Sequence, residues 1–379
     1  MISLIQLLNT SFLLLLLVPF GADFGVKLTS YQLNKPTRLT LLLVALINFR
    51  HRLVYYAQSL LDLLFGTSPD LSKSPKIKEI YVHPVKSLRG DSVQEWEIDQ
   101  HGLKCDRMYT LGIFRDGKFK AVTQRECQKM TLVYCDIDKE NKCFKYTWDL
   151  GNGPGSFTLP MEPDIASVDS QKPVELWGVN FETYVLPDMI PSKFFEDLGM
   201  DKDTQILYSP KGKAVKTNAP QFNNQYRFSL FQDYYPLLMV SDKDIDDLNV
   251  RIKAKGGNLV CSARNFRPNM VLERVGKLFD TDTWDKFSVY TKDGKVHHWS
   301  VTSKCPRCPI PNINTETGVN DNKSIVSRVL STYRRVDFGS VYDSFFGMSC
   351  VQHDYNYSIS VGDAVVVKSR RINHYECIG

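Results

Sequence analysis

The first twenty residues, MISLIQLLNTSFLLLLLVPF, lack any charged side chain, and the first lysine is Lys27. A helix of that length reaches across a bilayer or nearly so, at about 1.5 Å per residue. A cleaved signal peptide normally carries cations ahead of its apolar run. Here Lys27, Lys35, Arg38, Arg50 and Arg52 all follow it. The run therefore predicts an anchor, and the cations behind it predict a cytosolic body; a cleaved signal or a buried helix is the rival reading. The chain also lacks a G-x-G-x-x-G loop and a C-x-x-C-H motif, so it shows neither a dinucleotide nor a haem site of its own. It has one C-x-x-C pair, with no second pair and no H-x-x-x-H partner, which argues against a four-ligand zinc site. Its nine cysteines keep no framework spacing, which argues against a disulfide scaffold and for a reducing compartment. The net charge is only +5. A nucleic-acid binder would concentrate Lys and Arg on one element, so no nucleic-acid partner is expected. No internal repeat or low-complexity segment occurs in the body.

What is present divides the chain. Leu39 to Phe49, LTLLLVALINF, is short for a span and reads as an interfacial segment continuing into YYAQSLLDLLF as an amphipathic helix. Residues 1–65 are thus expected to form anchor and interfacial helix. Residues 66–76, GTSPDLSKSPK, read as a linker. Beyond it lie short apolar or alternating runs such as IKEIYVHPV, MYTLGIF and CFKYTWDL, separated by turns at Asp116-Gly117 and Asn152-Gly153. Strands of that length and spacing predict a barrel or sandwich. Helices are fewer: SKFFEDLG capped by Ser192 and stopped by Gly199, DKDIDDLNVRIKAKGG opened by Ser241, and SIVSRVLSTYRRV. KFSVYTKDGKVHHWSV predicts a hairpin about Asp293-Gly294, and VGDAVVVKS the last strand. The expected class is α+β, mainly β.

The densest chemistry lies in KCPRCPIPNINTETG, residues 304–318. A thioredoxin-type pair sits at a helix N-terminus, yet Pro309 and Pro311 follow Cys308 and block a helix there. Two thiols in a hairpin arm is the bland reading, and it stays open. The reading that uses every oddity is a cofactor ligand. A soft metal favours thiolate, Arg307 favours the ionised thiol, and the flanking prolines hold the sulfur's direction. A single thiolate leaves the other metal positions to a cofactor and a substrate.

SARNFRPNMVLE at 262–273, followed by this arm, resembles the core of a MOSC domain. IYVHPVKSLRGDSV at 80–93 and LKCDRMYTL at 103–111 resemble the β-barrel domain that accompanies MOSC domains. Within the family the motifs are most similar to the mitochondrial amidoxime-reducing components, over roughly residues 77–379. The resemblance implies an N-terminal β-barrel domain over 77–212, a β-rich MOSC barrel domain over 213–379, and a molybdenum–pterin cofactor in the cleft between them. It implies that Cys308 ligates the metal and that Lys86, Ser87, Arg107, Arg267, Asn269 and Arg307 bind the pterin and its phosphate. The residue types suit such a ligand, since guanidinium groups match phosphate and an amide matches a pterin edge. The implied reaction is two-electron reduction of small N-hydroxylated compounds (amidoximes, hydroxylamines). Its electrons would come from NADH through a cytochrome b5 reductase and cytochrome b5. Asp233, which precedes Tyr234 and Tyr235, is a candidate catalytic proton donor.

Each residue has a plainer role open to it. Lys86 and Arg107 suit surface strand ends, Asn269 suits a turn cap, and Arg267, preceding Pro268, is expected to be extended and to brace a loop. Cys305 is expected to pack. Three departures from the family pattern fall near the substrate side: Pro306 where Ser is frequent, Tyr235 where relatives carry small hydroxyl residues, and Ser349 where a relative has tyrosine. Two other functions stay open. One is a cofactor carrier or sulfur-transfer module; the pyridoxal phosphate domain of molybdenum cofactor sulfurase has no counterpart here. The other is a membrane scaffold without activity. The resemblance favours the mitochondrial outer membrane, although endoplasmic reticulum fits the residues equally.

Overall fold

Alternation of buried and exposed side chains drives most of the strands. In Cys143–Trp148 every second residue points inward, as the period of a pleated strand requires. The computed structural model describes residues 38–66, 68–166, 168, 171–176, 179–216, 226–321 and 323–372. The anchor expected over the first twenty residues lies outside them.

Seven strands close a large barrel in the order Met270–Glu273, Leu237–Ser241, Phe345–Gln352, Val296–Pro306, Trp284–Tyr290, Ala364–Arg370 and Lys76–Val82. Lys76–Val82 seals the ring by pairing antiparallel with Met270–Glu273 and meeting Ala364 at Lys76. Closure removes the open edges that would template association. Trp284, Phe287, Trp299, Met239 and Met348 fill the interior. A smaller closed barrel joins Gln171–Leu176, Val179–Leu186, Thr204–Tyr208, Tyr109–Arg115 and Lys118–Val122. The turn between its last two strands is Asp116-Gly117, both left-handed, at φ 54° and 81°, the form whose twist suits a two-residue hairpin. A three-stranded sheet, Tyr134–Asp138, Cys143–Trp148 and Gly155–Pro160, packs Trp148 and Phe157 against Phe194 of the helix Ser192–Leu198.

The body's first strand therefore belongs to the large barrel. The chain leaves the ring at His83, pairs Asp91–Val93 back along Lys76–Val82, builds the small barrel, and re-enters the ring at Leu237. His83–Ser87 is the crossing point, so its side chains lie where the two barrels meet.

The helices follow their end signals with one shift. Ser192 is the first helical residue, not the cap, and Pro191 precedes it as N-cap; Gly199 ends the helix at φ 72°. Proline's fixed φ and missing N–H cost nothing just before a helix. The hairpin about Asp293-Gly294 joins Trp284–Tyr290 to Val296–Pro306. Residues from Arg38 to Phe65 form one helix of 28 residues. It lies against the barrel strand Ala364–Arg370, where Asn48 Nδ2 donates to the Ile372 carbonyl and Asn48 Oδ1 accepts from the Ile372 amide. No helix among the described residues is long and apolar enough to cross a membrane. The eight described cysteines are free thiols.

Candidate active site at the cysteine arm

Four segments meet at the junction of the barrels. The first is the crossing segment. Its backbone runs beside Arg107–Tyr109: the Lys86 amide donates to the Tyr109 carbonyl at 2.8 Å, and the Arg107 amide donates to the His83 carbonyl at 2.7 Å. This pairing brings Lys86 and Arg107 together. Ser87 and Arg107 both take left-handed backbone, at φ 71° and 51°, a cost of about 1–2 kcal/mol per non-glycine residue of the kind that gathers at functional sites. Ser87 is buried, and its carbonyl accepts from Gln124 Nε2 at 2.7 Å.

The second is the short helix Ala263–Phe266, opened by a capping box in which Asn265 Oδ1 accepts from the Ser262 amide at 2.9 Å. Arg267 closes it at φ 54°, ψ 47°. The expected extended backbone at this residue is thus replaced by a left-handed cap. The last turn of the helix needs the reversal that such a cap supplies, and this outweighs the preference of a residue preceding proline. The turn offers two successive carbonyls to cations. Phe266 O accepts from Arg307 Nη2 at 3.0 Å, and Arg267 O accepts from Arg107 Nη2 at 2.8 Å. Asn269 is buried between strands. Its Oδ1 accepts from the Leu238 amide at 3.1 Å and its Nδ2 donates to the Tyr81 carbonyl at 3.4 Å, so its amide braces two barrel strands.

The third is the cysteine arm. Lys304 anchors its base through a buried ion pair with Asp337 at 3.1 Å; removing one partner of such a pair costs about 3–5 kcal/mol. Pro306 still pairs with Phe345, and the Arg307 amide donates to Ser344 O at 2.8 Å. Beyond Cys308 the prolines fold into the 3-10 turn Ile310–Asn312. Asn265 Nδ2 donates to Pro311 O and Ile313 O, and Asn312 Nδ2 donates to Pro309 O and Ser327 Oγ. Cys308, partly exposed, is therefore held between a strand end and a clamped turn. Cys305 is also half-buried, and Arg307 Nη1 donates to its sulfur at 3.2 Å. Burial pushes the Cys305 thiol up, against the pull of Arg307.

The fourth is the loop after Tyr226–Ser229. The Phe231 amide donates to Arg107 O at 2.9 Å. Lys86 Nζ donates to Phe231 O at 2.9 Å and to Asp233 Oδ1 at 2.5 Å. The lysine side chain is 10% exposed and the aspartate 59%. Tyr235 is buried against Val351. Ser349 lies in the barrel wall, its carbonyl accepting from Thr302 Oγ1 at 3.0 Å.

Positive charge is crowded here. Burial and the neighbouring Arg107 and Arg267 pull the Lys86 ammonium down, against Asp233. Burial and Arg107 pull Arg267 down to about 9, so it stays charged at neutral pH. Burial, then Arg107 and Arg267, keeps His83 well below its ordinary range and neutral. Arg267 Nη1 donates to Leu88 O at 2.6 Å, but Arg267 Nη2 and Arg307 Nε are buried without a partner among the described residues. Buried orphan donors are rare in folded proteins, and guanidinium donors seek an anion. The residues present therefore fit a polyanionic, heteroatom-rich cofactor.

Four site residues escaped the sequence reading. Asp106 is fully buried; its carboxylate accepts from the His83 amide at 2.8 Å and from Arg107 Nη1 at 2.6 Å. Gln232 Nε2 donates to Asp106 O at 2.8 Å. With His83 and Asn265, these groups aim the cations and clamp the arm. The readable signal was an acid next to Arg107 inside an apolar run; nothing local marked Gln232 or Asn265.

Residues 74–201 match the MOSC N-terminal beta barrel domain, and residues 227–366 match the MOSC domain. The chain is 27% identical over 309 residues to mitochondrial amidoxime reducing component 2 of Bos taurus, covering 79% of this chain and 85% of the relative. The Homo sapiens protein of the same name is 27% identical over 266 residues, covering 69% and 73%. Molybdenum cofactor sulfurase of Oryza sativa is 24% identical over 283 residues, covering 73% of this chain and 33% of the sulfurase. The chain belongs to the MOSC-domain proteins and carries both the N-terminal barrel domain and the MOSC domain.

Proposed function

We propose that the protein is a molybdenum-cofactor-dependent reductase of small N-hydroxylated compounds, with the N-terminal domain over 77–212 and the MOSC domain over 213–379. The observation that carries this reading is the arm beside Cys308: Arg307 docks on Phe266 O, next to Arg267, and Arg267 Nη2 and Arg307 Nε are orphan donors among the described residues. Among the described residues no three His, Cys, Asp or Glu side chains are placed to cage a metal, so a metal at Cys308 would take its remaining ligands from outside the chain. The relatives named amidoxime reducing components support the reaction class.

When bound, the cofactor supplies two-electron redox chemistry. Arg107, Arg267 and Arg307 would hold its anionic and pterin groups, and Cys308 its metal. Ser87 is held beside Lys86 in a left-handed turn, and Asn269 fixes the strand ends that follow the Arg267 turn. The net conversion takes one N–O bond, two electrons and two protons to an N–H bond and water. Asp233 is bonded to buried Lys86 and open to water, so the pair can pass a proton from solvent to the site. Lys86, with its proton loosened by burial and by the arginines, is suited to that exchange. The electrons come from an external chain: an NADH-dependent cytochrome b5 reductase and cytochrome b5. Residues 1–20 anchor the body at the cytosolic face of a membrane, and the name of the relatives favours the mitochondrial outer membrane. The test is turnover of benzamidoxime by the full chain with reduced cytochrome b5. Amidine formation is expected; cofactor binding without turnover would mean a carrier or sulfur-transfer module instead.

A further inference from the structure

The helix Arg38–Phe65 has two unlike faces. Val44 is buried, and Asn48 binds Ile372 of the barrel. Around the helix, Leu42, Leu46, Phe49, Leu53, Tyr56 and Leu60 stand out at spacings of three and four, each 40–66% exposed. At about 100° per residue this stripe lies roughly 140° from the packed face. A cavity of about 290 Å³ opens between helix and barrel, next to the stripe, and Tyr56 belongs to both. Arg52, Lys286, Arg370 and Arg371 line it. Arg370 and Arg371 are paired with Asp280 and Asp285, whereas Arg52 and Lys286 have no carboxylate partner among the described residues; Lys286 lies over the Tyr55 ring at 5.4 Å. His51 and Asp285 also line the cavity, and among the described residues His51 Nδ1 is buried without a hydrogen-bond partner.

The geometry points to this cavity as a seat for the phosphate of an anionic lipid headgroup, with the leucine stripe lying in the same bilayer interface. The volume suits a headgroup, not acyl chains. Two surplus cations offer charge-assisted donors to phosphate oxygens. Exposed leucines, a phenylalanine and a tyrosine on the neighbouring face are the side chains that settle at the depth of headgroups and first methylenes. The bilayer would thus set the orientation of the large barrel, because the cavity is built from both the helix and the strand Ala364–Arg370. This inference rests on the membrane placement proposed above and is independent of the reductase chemistry.

The test uses the full chain in nanodiscs of phosphatidylcholine alone or of phosphatidylcholine with phosphatidic acid, followed by amide hydrogen exchange. Exchange over Asn48–Tyr56 and Ser369–Arg371 is expected to slow about tenfold or more in the anionic discs, as two cations near an anionic surface would give. R52Q/K286Q should abolish that difference while remaining disc-bound and keeping its amidoxime turnover. Equal exchange in the two discs would overturn the lipid site while leaving the membrane placement intact. Equal slowing by inorganic phosphate in neutral discs would make this a soluble-phosphate site and overturn it too. Failure to enter either disc would overturn the membrane placement and this inference together.

Discussion

Arg267→Met isolates the conflict built into the site. Arg267 is pulled down from the usual arginine value to about 9 by burial and by Arg107, a gross penalty on the order of 5 kcal/mol at about 1.4 kcal/mol per tenfold. Solvent reaches part of the side chain, so screening reduces that figure. The substitution also removes the 2.6 Å bond to Leu88 O, which offsets about 1.5–3 kcal/mol. The net expectation is that the cofactor-free variant gains about 1–2 kcal/mol, from relief of the repulsion with Arg107 and loss of the orphan Nη2. That corresponds to roughly 1–3 °C in Tm for a chain of this size. The sign with pH is fixed: a base whose folded value is lowered destabilises the fold below both values. The gain should therefore be fully present below about pH 9 and fade as the pH rises toward the unfolded arginine value. The cofactor-loaded protein should move the opposite way, losing both cofactor and heat stability, because Arg267 is then an anion ligand. The assay is thermal denaturation of wild type and R267M, each prepared with and without cofactor. A cofactor-free R267M less stable than cofactor-free wild type would refute the reasoning, since Arg267 would then be an ordinary structural brace.

Three further outcomes follow from the same structure. Burial pushes Asp244 up to about 7, so its contribution to stability is fullest below the unfolded carboxylate range and is lost as the pH rises to 7. D244N keeps the acceptor for the Phe279 amide at 2.8 Å, and urea unfolding should show a gain of roughly 1–3 kcal/mol at pH 8 and almost none at pH 4; equal gains at both would contradict it. N265A frees Pro311 O and Ile313 O, so amide exchange across Ile310–Asn314 should quicken about tenfold or more, for a loss of about 1–3 kcal/mol, and kcat/KM should fall; unchanged exchange would show that the prolines alone stiffen the arm. C305S replaces a thiol that burial keeps protonated, so molybdenum content and turnover should stay within about threefold of wild type; loss of both would make Cys305 a ligand.

The strands, turns and helices that depend on local signals could be read from the chain alone. Asp116, Gly117 and Gly294 take left-handed backbone that few residues tolerate, and CFKYTWDL alternates because one face is buried. Ring closure by Lys76–Val82 could not be read, because strand partners distant in sequence leave no local mark. The gathering of Lys86, Arg107, Arg267, Arg307 and Asp233 became legible only when several weak motifs were taken in order, as each cation alone suits a surface. Arg267 shows the limit most clearly. The rule for residues before proline is local, whereas its left-handed backbone is set by the helix it ends and the arginines its turn receives. Gln232 and Asn265 act through contacts far along the chain, and no sequence spacing announces them.

The central claim is that the Cys308 sulfur binds a molybdenum held by a cofactor. X-ray absorption at the molybdenum edge, on wild type and C308S made in a host that supplies the cofactor, tests it most directly. The expected result is about one molybdenum per chain in wild type and one sulfur fewer around the metal in C308S, with turnover lost. An unchanged sulfur count in C308S, or wild-type protein that takes up no molybdenum, would contradict the account.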